Sequence, residues 1–238
     1  MIYVGKEKIL VVEDNGALAA GLKFAFTREG WEVSIANNLS EAKKRFKDEI
    51  IDLILLDVML PDGSGLDFCR EVRRVSGVPI IFLTAKDEEL DIIQGLEIGG
   101  DDYITKPFRV GELTTRIKVA LRRINKNQTQ IENTKSALKT GNLTIDILDG
   151  KVKNNEIEIL ITPIEFKLIK MFVQNPLQIL TRNQILEKLW DVDGDYVDEK
   201  TLTVHIRRLR EKIEEEPSNP KYIVTIRGVG YKRNMQLL

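Results

Sequence analysis

The chain has a single cysteine, Cys69, and a single histidine, His205, among its 238 residues. That scarcity excludes a disulfide framework and a cysteine-based metal cluster, and it fits a reducing compartment. Long hydrophobic runs are also missing. The apolar stretches stop far short of the roughly 20 residues that cross a bilayer. The amino terminus, "MIYVGKEKILVVED", meets acids before a secretory core could form. A soluble, cytoplasmic chain with no membrane association is expected. Strong charge of one sign is absent as well: the net charge is -1, so a uniformly basic nucleic-acid coat is excluded. Residues 1–125 sum to -3 and the remainder to +2, which places the basic excess in the second half. Finally, "VEDNGAL", after the first apolar run, lacks the glycine-rich turn that lets a backbone approach a pyrophosphate.

What is present is organised in two parts. From residue 8 to about 124, "KILVVED", "EVSIA", "DLILLD", "PIIFLT" and "DYIT" read as short strands, each followed by an amphipathic stretch. Such βα repetition predicts an α/β domain with a doubly wound parallel sheet over residues 1–124. In "GLDFCREV", Leu66, Cys69 and Val72 share one helical face, so the thiol is expected in the core. Residues 125–137 are nearly all polar and read as a linker.

Residues 138–238 change periodicity. Leu143, Ile145 and Ile147 alternate, as do Ile157, Ile159 and Ile161, with Asp149-Gly150 and Asn154-Asn155 as turns, which predicts a small antiparallel sheet. "TPIE", from Thr162, and "TRNQ", from Thr181, begin helices with capping-box spacing. A third helix is predicted from about Val197 to the Glu214–Glu216 cluster, and "YIVTIRGVGYKR" predicts a closing hairpin.

The run "LILLDVMLPDGSG" ends its apolar part in Asp57. Such a residue can begin a turn or cap a helix. In a parallel sheet, however, ligands sit outside the carboxyl ends of the strands. Glu13 and Asp14 end the first strand as Asp57 ends the third, so three carboxylates can converge on one edge. Like charges so placed need protonation or a cation, and an all-oxygen set suits Mg²⁺ or Mn²⁺. Thr84 ends the fourth strand with a hydroxyl, and Lys106 follows the fifth with an ammonium. Each has a bland alternative: a helix cap for the acids, a β-former for Thr84, a solvated charge for Lys106. Together they form the parts of a phosphoryl-transfer site.

"VVED", "LLDVMLPDGSG", "FLTA" and "DDYITKPF", in that order and spacing, resemble the receiver domain of bacterial two-component response regulators. The second half resembles the winged-helix effector of the OmpR/PhoB subfamily. The resemblance implies flavodoxin-like strand order 2-1-3-4-5 and a winged helix-turn-helix α+β domain. It implies that Asp57 accepts a phosphoryl group from a sensor histidine kinase. Asp14, Asp57 and the carbonyl of Met59 would hold the metal, with Glu13 on a metal-bound water. Lys106, before a cis Pro107, would pair with the phosphoryl oxygens, while Thr84 and Tyr103 relay the change to the surface. A receiver homodimer is implied through the fourth helix, fifth strand and fifth helix, using Glu97 with Lys118 and Asp102 with Arg116. Two departures stand out. Gly100 replaces the family's usual alanine and is expected only to loosen a turn; Ile92 removes a basic residue, leaving Glu112 without its intersubunit bridge.

In the third helix of the second half, Leu202, Ile206, Leu209 and Ile213 form a buried stripe. Lys200, Thr203, Val204 and Arg207 fall opposite, with Arg208 at the margin. A basic face can be merely solvated, but Val204 among the charges suits a groove reader, its methyls facing thymine. Thr203, Val204 and Arg207 are expected to face bases. Arg208, Arg210 and the hairpin's Arg227 are expected to hold phosphate or the minor groove of promoter DNA, arranged as direct repeats. His205, beside the buried stripe, suits helix packing or a phosphate better than catalysis. "LWDVDGDYVDEK" resembles the subfamily's loop toward RNA polymerase. Two enzyme classes compete with a transcription regulator. A haloacid-dehalogenase-type phosphohydrolase wants an Asp two residues after the nucleophile, where Met59 stands, and a dinucleotide enzyme wants the missing glycines.

Overall fold

The computed structural model describes residues 6–85, 95–125, 137–147, 149–190 and 199–234. It divides into two compact units, residues 1–121 and 122–238. The first holds five parallel strands: β1 (Lys8–Val12), β2 (Glu32–Ala36), β3 (Leu53–Asp57), β4 (Ile80–Ala85) and β5 (Asp102–Lys106). Their order is β2-β1-β3-β4-β5, the doubly wound arrangement expected. Side chains alternate faces along a strand. Ile9, Val11, Leu55 and Leu83 therefore join a core with Leu22, Phe26, Leu113 and Ile117, whereas Leu10, Val12 and Leu56 join Phe68, Cys69 and Val72 on the other face. Covering both faces explains why β3 is apolar without interruption and why every one of its residues is buried.

The helices begin where polar caps supply acceptors for unpaired N–H groups. Asn15 Oδ1 accepts from Ala17 and Leu18 at the start of Gly16–Arg28, and Ser64 Oγ accepts from Leu66 at the start of Gly65–Arg73. Asp62, in the segment that follows β3, reaches across to accept from the Leu39 and Ser40 N–H groups at the head of Leu39–Asp48. The loop itself is a two-strand ribbon, Met59–Leu60 against Gly63–Ser64, that the sequence did not reveal.

The second unit contains an antiparallel sheet of Ala137–Thr140, Leu143–Asp146, Lys151–Asn154 and Ile157–Ile159. Its first strand starts on the last residue read as linker. Ile157 is 73% exposed, so only part of the second isoleucine alternation is buried. Three helices follow, Pro163–Gln174, Arg182–Trp190 and Glu199–Ile213, and the hairpin Ile223–Ile226/Gly230–Arg233 closes the unit. An unforeseen strand, Ile179–Thr181, pairs with Gly230–Lys232. The "TRNQ" capping box is complete, with Thr181 N–H to Gln184 Oε1 at 2.9 Å and Gln184 N–H to Thr181 Oγ1 at 3.2 Å. At "TPIE" the Thr162 N–H reaches Glu165 Oε2 at 2.9 Å, but Thr162 Oγ1 has no partner among the described residues.

One glycine departs from expectation. A Cβ at Gly100 would lie 2.7 Å from Phe82 Cε2 and 3.0 Å from the Gly95 carbonyl oxygen. Gly100 is therefore a close-packing contact under a core aromatic, not a loosened turn.

Candidate functional site

Parallel register puts the carboxyl ends of β1 and β3 side by side, Val12 opposite Leu56, and those of β3 and β4 together, Asp57 opposite Leu83. Carboxylate oxygens of Glu13, Asp14 and Asp57 consequently fall within 4.8 Å of one another. Glu13 and Asp57 are buried and Asp14 is exposed at the mouth. Lys106 reaches in from the end of β5, before a cis Pro107, placing Nζ 2.6 Å from Asp57 Oδ2 and 2.7 Å from Glu13 Oε2. Burial pushes the Glu13 carboxyl above its ordinary value, and the Asp57 charge adds to that against the opposing pull of Lys106. Burial pulls Lys106 down, but its hydrogen bonds to Asp57 and Glu13 outweigh this and its pKa is raised. The ammonium thus stays charged and offsets part of the repulsion.

A backbone contact that sequence reading missed fixes Asp57. The Gly65 N–H donates to the Val58 carbonyl at 2.8 Å, and a Cβ on Gly65 would stand 2.1 Å from the Asp57 carbonyl oxygen. The second glycine of "DGSG" is the signal, since close backbone approach demands it. The Met59 N–H, for its part, donates to Asp57 Oδ1 at 3.1 Å. Thr84 is buried one residue beyond the partner of Asp57, its hydroxyl donating to the Ala85 carbonyl at 3.3 Å. Tyr103 is partly buried against the core that contains Phe82.

The cluster fits a hard divalent cation on this structure's own terms. Its donors are all oxygen, they come from adjacent strand ends, and one of them, Asp14, faces solvent for exchange.

The surface expected for dimerisation is arranged differently from its expectation. Arg116 is 8% exposed and pairs inside the chain with Asp102 at 2.8 Å and Glu112 at 3.0 Å. Neither Asp102 nor Glu112 is thus waiting for a second subunit. Glu97 is exposed, whereas Lys118 lies 2.5 Å from Glu29 of the same chain. Ile92 lies outside the described residues.

In the helix Glu199–Ile213 the predicted stripe of Leu202, Ile206, Leu209 and Ile213 is buried as expected. Three neighbours are also withdrawn from solvent. Val204 is 8% exposed and so is a packing residue, not a free groove contact. Arg208 is 6% exposed, its Nη2 lying 3.1 Å from Glu165 Oε1 in an ion pair without hydrogen-bond geometry. His205 is fully buried, which removes the phosphate option. Arg210 is tied to the hairpin, donating to the Ile223 carbonyl at 2.6 Å and to Thr225 Oγ1 at 2.9 Å. Thr203, Arg207 and Arg227 remain exposed, with Arg207 Nε 3.1 Å from Glu211. The Lys200 side chain and residues 191–198 of the acidic loop lie outside the described residues. Arg182, read only as part of a helix start, stacks its guanidinium 5.1 Å from the Tyr231 ring centre and reaches Thr203 Oγ1 at 3.3 Å. It thereby joins the exposed stripe of the helix to the hairpin.

Comparison with known proteins accords with this geometry. Residues 9–118 match the response regulator receiver domain, and residues 155–233 match the C-terminal domain of transcriptional regulatory proteins. The sensory transduction protein RegX3 of Mycobacterium tuberculosis is 40% identical over 225 residues, covering 94% of this chain and 97% of that one. The DNA-binding response regulator MtrA of Mycolicibacterium smegmatis is 39% identical over 227 residues, covering 95% and 96%. Among solved structures, a mutant of RitR superposes with a TM-score of 0.74 at 28% identity, covering 95% and 98%. A parallel receiver sheet followed by a winged helix defines a two-domain DNA-binding regulator. The chain belongs to the OmpR/PhoB-type response regulators of two-component systems. No helix among the described residues is long and apolar enough to cross a membrane.

Proposed function

We propose that Asp57 accepts a phosphoryl group from a sensor histidine kinase and that the modification controls promoter binding by the second domain. The supporting observation is Lys106 Nζ, held within 2.7 Å of both Asp57 and Glu13 at the edge of the three-carboxylate cluster. An Asp57 carboxylate oxygen attacks phosphorus as the donor's leaving group departs, and the Lys106 ammonium faces the charge that develops. Asp14, Asp57 and the Met59 carbonyl would hold Mg²⁺ or Mn²⁺, with Glu13 on a metal-bound water, and the ion would supply charge neutralisation for the transferring group. The product carries about -1.5 to -2 charge and new acceptor oxygens, which the Thr84 hydroxyl can meet if it leaves the Ala85 carbonyl. Tyr103, beside Phe82 in the same core, then carries the shift to the outer face.

We further infer that phosphorylated chains pair through their receiver domains and place two winged helices on direct repeats, where they meet RNA polymerase. Glu97, Lys118, Asp102 and Arg116 would rearrange from their contacts within the chain. Lys200, Thr203 and Arg207 would face bases, and Arg227 would reach the minor groove. Intact-mass measurement with acetyl phosphate and Mg²⁺ should show one added phosphoryl group, none in Asp57→Asn, and a dimer by sedimentation only for the labelled protein. Equal labelling of Asp57→Asn would overturn the assignment.

A further inference from the structure

Among the expected metal ligands, the Met59 carbonyl is the one that no side-chain rotation can place. A carboxylate at a strand end is set by the sheet, and Asp57 closes β3, whose residues are all buried. A backbone carbonyl goes only where its peptide goes. Met59 lies in a ribbon two residues long on each side, Met59 opposite Ser64 and Leu60 opposite Gly63, which is too short to hold itself in place in water. Its base is fixed by the Gly65 N–H on the Val58 carbonyl at 2.8 Å. Its tip is fixed by Asp62.

Asp62 Oδ1 accepts from the Leu39 N–H at 2.8 Å, and Oδ2 accepts from the Ser40 N–H at 3.0 Å and the Ser40 hydroxyl at 3.1 Å. The Leu39 N–H holds the Asp62 carboxyl below its ordinary value, so the acceptor is ionised at neutral pH. The adjoining Gly63, at φ 148°, packs on the same residue, since a Cβ there would stand 2.9 Å from Leu39 Cδ1. The helix Leu39–Asp48 has a cap of its own: the Asn38 side chain accepts from the Glu41 N–H at 2.8 Å, and the Asn38 carbonyl accepts from the Ala42 N–H at 3.0 Å. Water could serve the other two N–H groups at so exposed a helix start, so the pairing does more for the ribbon than for the helix.

The peptide held in this way already lies beside the reacting carboxylate, because the Met59 N–H donates to Asp57 Oδ1 at 3.1 Å. We propose that Asp62 is a positioning residue for the phosphorylation site, tying the ribbon to the first turn of Leu39–Asp48 so that the Met59 carbonyl can complete the oxygen set that Asp14 and Asp57 offer a divalent cation. The inference rests on the reading of Asp57 as phosphoacceptor. Groups that orient a metal ligand typically contribute about 10- to 100-fold in affinity, and Asp62 acts through a ribbon, so a roughly tenfold effect is expected.

The test titrates Mg²⁺ against the full chain and follows labelling by acetyl phosphate with intact-mass measurement. Asp62→Ala should raise the Mg²⁺ concentration for half-maximal labelling roughly tenfold and leave the rate at saturating Mg²⁺ unchanged. Asp62→Asn, which keeps an acceptor, should fall between. Asn38→Ala, which removes the helix's own cap, should lower the thermal midpoint without moving the Mg²⁺ requirement, and so separates positioning from helix stability. Binding is read without any labelling from the paramagnetic resonance of free Mn²⁺, whose affinity should weaken in the same order. An unchanged Mg²⁺ requirement in Asp62→Ala, a loss confined to the saturated rate, or an equal shift in Asn38→Ala would overturn the proposal. Absence of labelling at Asp57 in the unaltered chain would instead overturn the phosphoacceptor reading, and Mn²⁺ affinity alone would then decide the role of Asp62.

Discussion

Glu165 is the residue on which the effector domain should prove most sensitive. It is fully buried in the helix Pro163–Gln174, and three groups converge on it: the Thr162 N–H at 2.9 Å, Arg208 at 3.1 Å and Lys212 at 2.6 Å. Replacing it with alanine removes each differently. Arg208, with 7% of its side chain exposed, loses the acid 3.1 Å from its Nη2, and removing one partner of a buried ion pair costs about 3–5 kcal/mol. The lost acceptor at the helix start adds about 1 kcal/mol. Lys212, 27% exposed, can turn toward water and adds less than about 1 kcal/mol. The alanine side chain also spares the cost of burying the carboxylate, so the expected net destabilisation is about 3–5 kcal/mol. Glu165→Gln should fall between, since it keeps an acceptor for Thr162 and loses only the charge. The double change Glu165→Leu with Arg208→Met should recover much of the loss, because an apolar pair needs no counterion. Urea unfolding of the full chain in a Trp31→Phe background, with Trp190 as reporter, measures all four proteins. A Glu165→Ala effect below about 1 kcal/mol, or a double change no better than the single one, would refute the claim that Arg208 depends on this acid.

Gly65→Ala should destabilise the receiver by at least about 1–3 kcal/mol and lower the rate of labelling at Asp57, because its Cβ would stand 2.1 Å from a backbone oxygen that must move; thermal unfolding and phosphorylation time courses check both. Lys106→Met should make stability more dependent on Mg²⁺, since Glu13 and Asp57 lose their internal cation, and a metal titration by scanning calorimetry should show a larger rise than in the unaltered chain. Arg207→Ala should weaken a cognate duplex by about 1–3 kcal/mol with less effect on scrambled DNA. Equal losses on both duplexes at several salt concentrations would remove Arg207 from base reading.

Much of the receiver was legible because its constraints are local. Five apolar runs of strand length became β1 to β5 at the positions read, and polar residues at their carboxyl ends could only converge once the sheet was parallel. What escaped was set by contacts across the chain. Gly65 and Gly100 look like turn glycines, and only the nearby Asp57 carbonyl and Phe82 ring show that each is there because a side chain would collide. Asp62 likewise reads as a turn residue, although its oxygens cap a helix 22 and 23 residues earlier in the chain. In the second half, Ala137–Thr140 and Ile179–Thr181 are short edge strands whose residues carry little periodicity of their own. Their neighbours decide them.

The helix Glu199–Ile213 shows why a helical wheel alone overestimates an exposed face. At about 100° per residue, the buried positions Val204, His205, Ile206, Arg208, Leu209, Thr201, Leu202 and Ile213 sweep roughly 200° of its circumference. A helix lying on one layer needs only about half of that. The added arc comes from contact on two sides, with Glu165 drawing in Arg208 and the hairpin drawing over Arg210. Sequence periodicity marks the leucine and isoleucine stripe, but it cannot distinguish an arginine that is solvated from one recruited by a buried acid 43 residues away. Among the described side chains the exposed arc is Thr203, Arg207 and Glu211, with Arg182 leaning on it from the neighbouring helix. Rigidity follows from the same contacts: the buried Arg208 and the tethered Arg210 hold the helix so that Thr203 and Arg207 are presented in one orientation.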